Sequence, residues 1–356
     1  MEKVLTIIIA AYNEEKNIAK CMDSILDQTV KDFNVIIVND GSKDNTLDKI
    51  NEYMKKFEEN NISLNVISKE NGGLSSARNA GQKQVKTKYF CFLDSDDTIA
   101  NDYIEKIYDG LKKYDYPDIY KINLIKKDKD EKEISRSKKI FLKQTSGQKA
   151  FCKIAFSDPL FVLAQMYIIK NSYYNEKGFS FTEKIYHEDY DLIPNVMIFA
   201  KTFATNNDYI YNYYEVEGSI TNTTDPEKTI KKAEDVWQSF KKNDKNGKIY
   251  LAKEEITYDT YQHYMQYYAV GLLEKAKEIV SKKELLHENK EIETRYEKFM
   301  NNVYNGCIYA NILLEGTRNS LKRFYLKYFL KYYLKDYDRK KEKDNSNKEE
   351  IIDKKK

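Results

Sequence analysis

The sequence is short of residues that build disulfide or metal frameworks, with four cysteines and three histidines among 356 residues. Cys21, Cys91, Cys152 and Cys307 lie far apart with no paired spacing, which argues against a zinc cluster or a disulfide framework and suits a reducing, cytosolic setting. His263 and His287 fall in helical stretches without partners at metal spacing. Neither sign of charge dominates: 60 Lys and Arg stand against 57 Asp and Glu, a net +3. That balance excludes the whole chain as a nucleic-acid binder, so any basic patch is local. No apolar run is long enough to span a bilayer. The short run after Lys3 meets Asn13, Glu14 and Glu15 at once, with no cleavage pattern, and reads as a strand rather than a leader. A Gly-x-Gly-x-x-Gly loop is absent, which removes dinucleotide binding. The expectation is a soluble, cytoplasmic or membrane-peripheral protein with length for one large domain or two smaller ones. The 31 tyrosines are a composition bias and carry no functional weight.

What is present is a periodic alternation. Apolar runs begin near Leu5, Phe33, Leu64 and Tyr89, about one βαβ unit apart. Between them Ile18, Cys21, Met22, Ile25 and Leu26 recur at helical spacing, as do Leu47, Ile50, Tyr53, Met54 and Phe57. Val35–Val38 and Tyr89–Leu93 are apolar without alternation, as strands buried on both faces must be. These features predict an α/β fold, a doubly wound, mostly parallel sheet with helices on both faces. Past Asn101 the pattern predicts a helix to Tyr114, a strand over Asp118–Leu124 and a charged hairpin over Lys126–Lys139. Further strands are expected at Gln165–Lys170 and Thr205–Tyr214, with a helix after His187. From Pro226 to Tyr337 the pattern is helical, and residues 341–356 are charged low complexity, expected to be disordered. The resulting division is 1–222, split into a nucleotide-binding half (1–100) and an acceptor half (101–222), then a helical region (223–340) and the tail.

In open parallel sheets, ligands bind outside the carboxyl ends of the strands. Four polar clusters fall there: Ala11-Tyr12-Asn13-Glu14, Asn39-Asp40-Gly41-Ser42, Asn71-Gly72-Gly73 and Asp94-Ser95-Asp96-Asp97. Tyr12 can stack a base and Asp40 can accept a hydrogen bond from a base imide, while Gly41 lets the backbone turn closely beneath it. Asn71-Gly72-Gly73 precedes a helix whose amide-rich start, with the cation of Arg78, favours an anionic or carbonyl-bearing ligand. Asp94 and Asp96 alternate past a buried strand, and their hard oxygens suit Mg²⁺ or Mn²⁺ bridging a diphosphate. Taken singly, an Asp-x-Asp is usually a solvated turn and Asn-Asp-Gly-Ser a loop. Four such clusters on four successive strand ends are not explained by structure alone.

These residues resemble family 2 of the inverting glycosyltransferases, which have the GT-A fold. The resemblance runs through Thr6–Glu14, Val38–Ser42, Asn71–Gly81 and Phe92–Asp97, continues more weakly through His187-Glu188-Asp189 and Tyr214–Thr221, and covers roughly residues 1–222. It implies a UDP-sugar donor contacted by Ala11, Tyr12, Glu14, Asp40, Asn71, Gly73, Arg78, Asp94 and Ser95. Within that set Tyr12 and Asp40 resemble the uracil contacts, Arg78 a further base or phosphate contact, and Asp94 a ribose or diphosphate neighbour. Asp96 resembles the ligand of a Mn²⁺ or Mg²⁺ cofactor. Asp189, with Glu188 beside it, resembles the general base that takes the proton of the acceptor hydroxyl. The implied role is cell-envelope glycan synthesis on a glycan or lipid-linked acceptor. Three departures stand out: Ala11 replaces a frequent proline, acids occupy Glu215–Glu217 where an arginine is frequent, and a tryptophan expected just before Gln165 is missing.

Two rival readings are weaker. A sugar-nucleotide pyrophosphorylase needs a Gly-rich loop after the first strand, where this chain has Tyr12-Asn13-Glu14. A catalytically degenerate GT-A scaffold in a membrane-associated assembly predicts a broken acid set, whereas Asp40, Asp94, Asp96 and Asp189 are all present. Near the carboxyl end, residues 321, 324, 325, 328, 329, 332 and 333 put aromatic and leucine side chains on one helical face flanked by lysines. Such a face, within 318–340, packs on its own domain or a second subunit, giving a homo-oligomer, or lies on an anionic membrane.

Overall fold

The computed structural model describes residues 3–215, 225–282, 286 and 289–314. The motif residues past Glu215, His287, the 318–340 segment and the 341–356 tail lie outside them.

The first four strands, β1 (Leu5–Ala11), β2 (Asn34–Asn39), β3 (Ser63–Ser68) and β4 (Tyr89–Asp94), alternate with helices α1 (Ile18–Leu26), α2 (Thr46–Glu59) and α3 (Leu74–Gln82). They pair in parallel in the spatial order β3-β2-β1-β4. β1, β2 and β4 are buried almost throughout, while β3, at the sheet edge, is half exposed. The apolar stripe of α1 is Ile18, Cys21, Met22 and Ile25, and all four are buried. Burying such a side chain stabilises by about 1.5–3 kcal/mol, so this stripe alone fixes which face of α1 meets the sheet.

Beyond β4 the sheet becomes mixed. β5 (Thr98–Ile99) and α4 (Tyr103–Lys113) are followed by β6 (Ile119–Lys127) and β7 (Glu133–Arg136), which form the expected charged hairpin. Next come α5 (Gly147–Ile154), a 3-10 turn over Ala164–Met166, β8 (Tyr167–Lys170), α6 (Asn171–Glu176), α7 (Glu188–Ile198) and β9 (Phe203–Tyr214). The nine-stranded sheet continues β4-β8-β6-β9-β5, with β8 antiparallel to both its neighbours and β9 parallel to β6. The helices α8 (Pro226–Ala252), α9 (Tyr258–Ser281) and α10 (Lys290–Leu314) then follow.

Two compact units result. One runs to Thr224 and takes in Lys245–Tyr264; the other holds Asp225–Asp244 and the chain from Met265 on. In the second, Arg295 on α10 reaches Glu227 and Glu234 on α8, each by two hydrogen bonds of 2.6–2.9 Å. Among the described residues no helix is long and apolar enough to cross a membrane.

Candidate active site

The parallel strands β1, β2 and β4 end on one rim, and short hydrogen bonds knit their loops. Ala11, buried, takes the Asp40 amide on its carbonyl at 2.9 Å. Asn13 adopts a left-handed conformation (φ 55°); its amide meets Ser42 Oγ at 3.1 Å, and its side-chain oxygen accepts from the Lys43 amide at 2.8 Å. This reversal leaves the Tyr12 ring 46% exposed at the end of β1, as a stacking platform requires.

Asp40 is placed differently from the expectation. Its carboxylate is buried and accepts from the amides of Gly72 (3.1 and 3.2 Å) and Gly73 (2.7 Å) and from Lys69 Nζ (2.7 Å). The amide-rich start of α3 is thus met from within by Asp40, not from outside. Gly41, at φ +73°, lets β2 turn beneath this loop: a Cβ there would lie 2.8 Å from the Asn71 amide nitrogen. Asn71 and Gly73 remain exposed.

One turn into α3, Arg78 is also turned inward. Its guanidinium is buried and donates to Asp94 Oδ1 (2.8 Å), Glu188 Oε1 (3.0 Å) and Asp189 Oδ1 (3.1 Å), between the rings of Phe92 and Phe181. Burial pushes its pKa down, but Asp94, Asp189 and Glu188 outweigh burial and hold the cation charged. Residues more than ninety positions apart in sequence therefore converge on one side chain. Asp189 Oδ2 accepts from the Ala164 amide at 3.1 Å. Burial raises the Asp189 pKa to about 7; Glu188 and Asp94 add to the rise and Arg78 opposes it. His187, just before α7, is left-handed (φ 61°), which turns Glu188 and Asp189 into the first turn of that helix.

Asp94, Asp96 and Asp97 each offer a carboxylate oxygen within 4.8 Å of the others. Burial, then Asp94 and Glu14, raise Asp96 to about 7. Glu14, half-buried beside the same group, is raised by burial, against its bond from Asn17, with Asp44 and Asp94 adding to the rise. Crowded carboxylates with raised pKa values and hard oxygens fit a divalent cation such as Mg²⁺ or Mn²⁺, which relieves their mutual repulsion. Ser95 is buried in the turn between them.

Sequence reasoning missed three parts of this arrangement. Asp97, the fourth residue of Asp-Ser-Asp-Asp, accepts from the Tyr211 hydroxyl (2.6 Å) and the Tyr214 amide (2.7 Å), fastening β9 to the acid turn. Gln165 donates to Asp94 Oδ2, and the neighbouring Ala164 amide holds Asp189. The extra acid after Asp96 is a signal for the first; nothing local marks the other two.

Fold and rim together define an α/β protein of the GT-A-like class, with a polar rim at the strand ends continuous with a buried acid cluster. Residues 6–179 match Glycosyl transferase family 2. It is 41% identical over 110 residues to glycosyltransferase GlyA of Streptococcus pneumoniae serotype 4, covering 31% of this chain and 15% of that protein. Over 212 residues it is 30% identical to the poly(ribitol-phosphate) beta-glucosyltransferase of Bacillus spizizenii, covering 59% of this chain and 32% of that one. The chain thus spans less than a third of the length of either curated relative. Among solved structures, S. aureus TarS 1–349 in complex with UDP-GlcNAc is similar in fold, with a TM-score of 0.64 at 18% identity, covering 85% of this chain and 81% of that one.

Proposed function

We propose that this chain is an inverting glycosyltransferase that moves a hexosyl or N-acetylhexosaminyl group from a UDP-sugar to an acceptor hydroxyl in cell-envelope glycan synthesis. The observation that carries this is the Arg78 cluster, in which one guanidinium holds Asp94 of the acid turn and Asp189 of α7. A donor site and a proton acceptor thereby come within one side chain of each other. The UDP-GlcNAc bound to a protein of similar fold, and the poly(ribitol-phosphate) named for a relative, favour this donor and setting.

In the proposed reaction the acceptor oxygen forms a bond to the anomeric carbon as the bond from that carbon to the diphosphate oxygen breaks, and UDP leaves. The acceptor proton passes to an Asp189 carboxylate oxygen. A pKa near 7 suits this exchange, since the base must be ionised before the step and basic enough to take the proton. Arg78 keeps Asp189 oriented, and the Ala164 amide fixes its second oxygen. Tyr12 offers a face for the uracil. Asp96, with Asp94 and Asp97 in reach of the same ion, would hold Mn²⁺ or Mg²⁺, which would supply positive charge to the departing diphosphate.

The test is UDP release from UDP-glucose, UDP-galactose and their N-acetyl forms with Mn²⁺, for the chain and for Asp189→Asn. We expect the variant to lose at least about 100-fold in transfer rate while binding UDP nearly as before. A variant keeping more than about a tenth of the rate would remove Asp189 from this role.

A further inference from the structure

A second group of ligating side chains lies in the first unit, away from any motif. Cys152 is in the last turn of α5, and Asp259 and His263 are in the first two turns of α9. The sequence hides the site because its halves are more than a hundred positions apart. His263 does have a partner at metal spacing: Asp259, one helical turn earlier, on the same face of α9. One ligand atom from each of the three residues lies within 4.8 Å of the others. Cys152 Sγ is 4.0 Å from Asp259 Oδ2, and His263 Nδ1 is 3.6 Å from Asp259 Oδ1. An ion bound tetrahedrally to sulfur, nitrogen and oxygen sets its ligands roughly 3.3–3.8 Å apart. His263 Nδ1 also sits 2.8 Å from the Asp259 carbonyl oxygen, so coordination exchanges that hydrogen bond for the ion, and rotations of the His263 ring and the exposed Asp259 carboxylate complete the shell.

We propose that Cys152, Asp259 and His263 form a binding site for a thiophilic divalent ion, Zn²⁺ by preference, that clips the start of α9 to α5. The seam between these helices is already built around the site. Gln148, one turn before Cys152, donates to the Glu255 carbonyl (3.0 Å) and accepts from the Thr257 amide (3.1 Å) and the Thr260 hydroxyl (2.9 Å). The ligands are thus delivered by a fixed backbone frame, as a preformed site needs. Thiolate, imidazole and carboxylate together select zinc over magnesium or calcium, which take oxygen alone. Lys149 and Lys153 line the same recess and disfavour a hard ion held by charge only. Burial, helped by Asp259, pushes the Cys152 thiol up to about 11, so the group is a thiol at neutral pH. Binding then exchanges its proton for the ion, and a fourth position is left for water. Of the other cysteines whose side chains are described, Cys21 and Cys91 are both buried and do not compete.

The test uses the full chain, stripped with chelator and held in excess Mg²⁺ so that the carboxylate turn is occupied. Titration with Co²⁺ should produce a thiolate-to-cobalt charge-transfer band saturating at one equivalent, and Zn²⁺ should abolish it by displacement. Zn²⁺ should also raise Tm, because the ion binds the folded seam and not the unfolded chain. Cys152→Ser should lose the band, and His263→Ala should weaken zinc binding by at least about tenfold, both with the circular dichroism and UDP affinity of the parent. Absence of the band in the parent, or a Cys152→Ser chain that keeps it, overturns the proposal. Neither result bears on the transferase reading, since none of the three residues belongs to the acid rim.

Discussion

One buried guanidinium facing three carboxylates leaves negative charge uncompensated around Asp189, and two properties follow from that imbalance. The first is stability. Removing the cation strands Asp94, Glu188 and Asp189 together, and losing one partner of a buried pair costs roughly 3 kcal/mol or more. The second is titration, because Arg78 is the group that holds Asp189 below the value burial would otherwise set. Arg78→Met should therefore lower Tm and also move the ascending limb of the kcat–pH profile from near 7 to higher pH. Arg78→Lys should restore part of both, since an ammonium supplies the charge but cannot bridge three acids. A profile unchanged in the methionine variant would show that Asp189 does not set the limb. At this scale the sequence is half legible. Asp94 and Asp96 stand out because acids just past a buried apolar strand are unusual, whereas Asp189 is marked only by the family resemblance. The inward turn of Asp40 and Arg78, and the hydrogen bond from Gln165 to Asp94, depend on contacts more than fifteen and up to a hundred and eleven positions away that no local pattern records.

Among the elements, α5 and α7 meet more closely than side chains permit. A Cβ on Gly147 would lie 1.8 Å from the Met197 carbonyl oxygen and 3.0 Å from the Ala200 Cβ, and the Gly147 amide donates to the Ala200 carbonyl at 2.8 Å. The obstacle is backbone, so α7 has to move rather than a rotamer. Gly147→Ala should cost roughly 1–3 kcal/mol, read as a Tm lower by about 2–4 °C per kcal/mol. Because α7 begins with Glu188 and Asp189, the proposed transfer rate should fall as well, while UDP affinity, which the proposed reading assigns to the Tyr12 rim away from α7, should hold. Equal loss of UDP binding would place the damage elsewhere. The parallel half of the sheet was readable because β1, β2 and β4 are buried on both faces and their helices carry clean apolar stripes. The antiparallel β8, wedged between β4 and β6, was visible as a strand, but hydrophobic period carries no information on direction. The two-residue β5 was not visible at all, since its pairing with β9 comes from residues more than a hundred positions later.

For the molecule as a whole, the acid rim sets how stability responds to pH. Asp96 and Asp189 ionise near 3.8 when unfolded and near 7 when folded, and Glu14 and the buried Asp97 are displaced in the same direction. Between those values the folded chain holds protons that the unfolded chain has released. Raising the pH through this window therefore lowers stability, by linkage. Glu131 works the other way: hydrogen bonds from Lys20 and Tyr214 draw it down to about 2, so its contribution is complete above the ordinary carboxylate range and is lost on acidification. Its side chain is half exposed, so solvent weakens that contribution. Glu131 gains its contribution between about 2 and 4.5 while Asp96 and Asp189 lose theirs from about 3.8 upward, so with EDTA present Tm should decline from pH 5 towards pH 7.5. Millimolar Mn²⁺ should raise Tm more at pH 7.5 than at pH 5, because an ion can bind the acid turn only where the carboxylates have given up their protons. Differential scanning fluorimetry across this range, with and without the metal, checks both slopes. A Tm that climbs steadily from pH 5 to 7.5 in EDTA would mean that these carboxylates are ionised in the folded chain at little cost, and the pKa assigned to the proposed base would fall with that result.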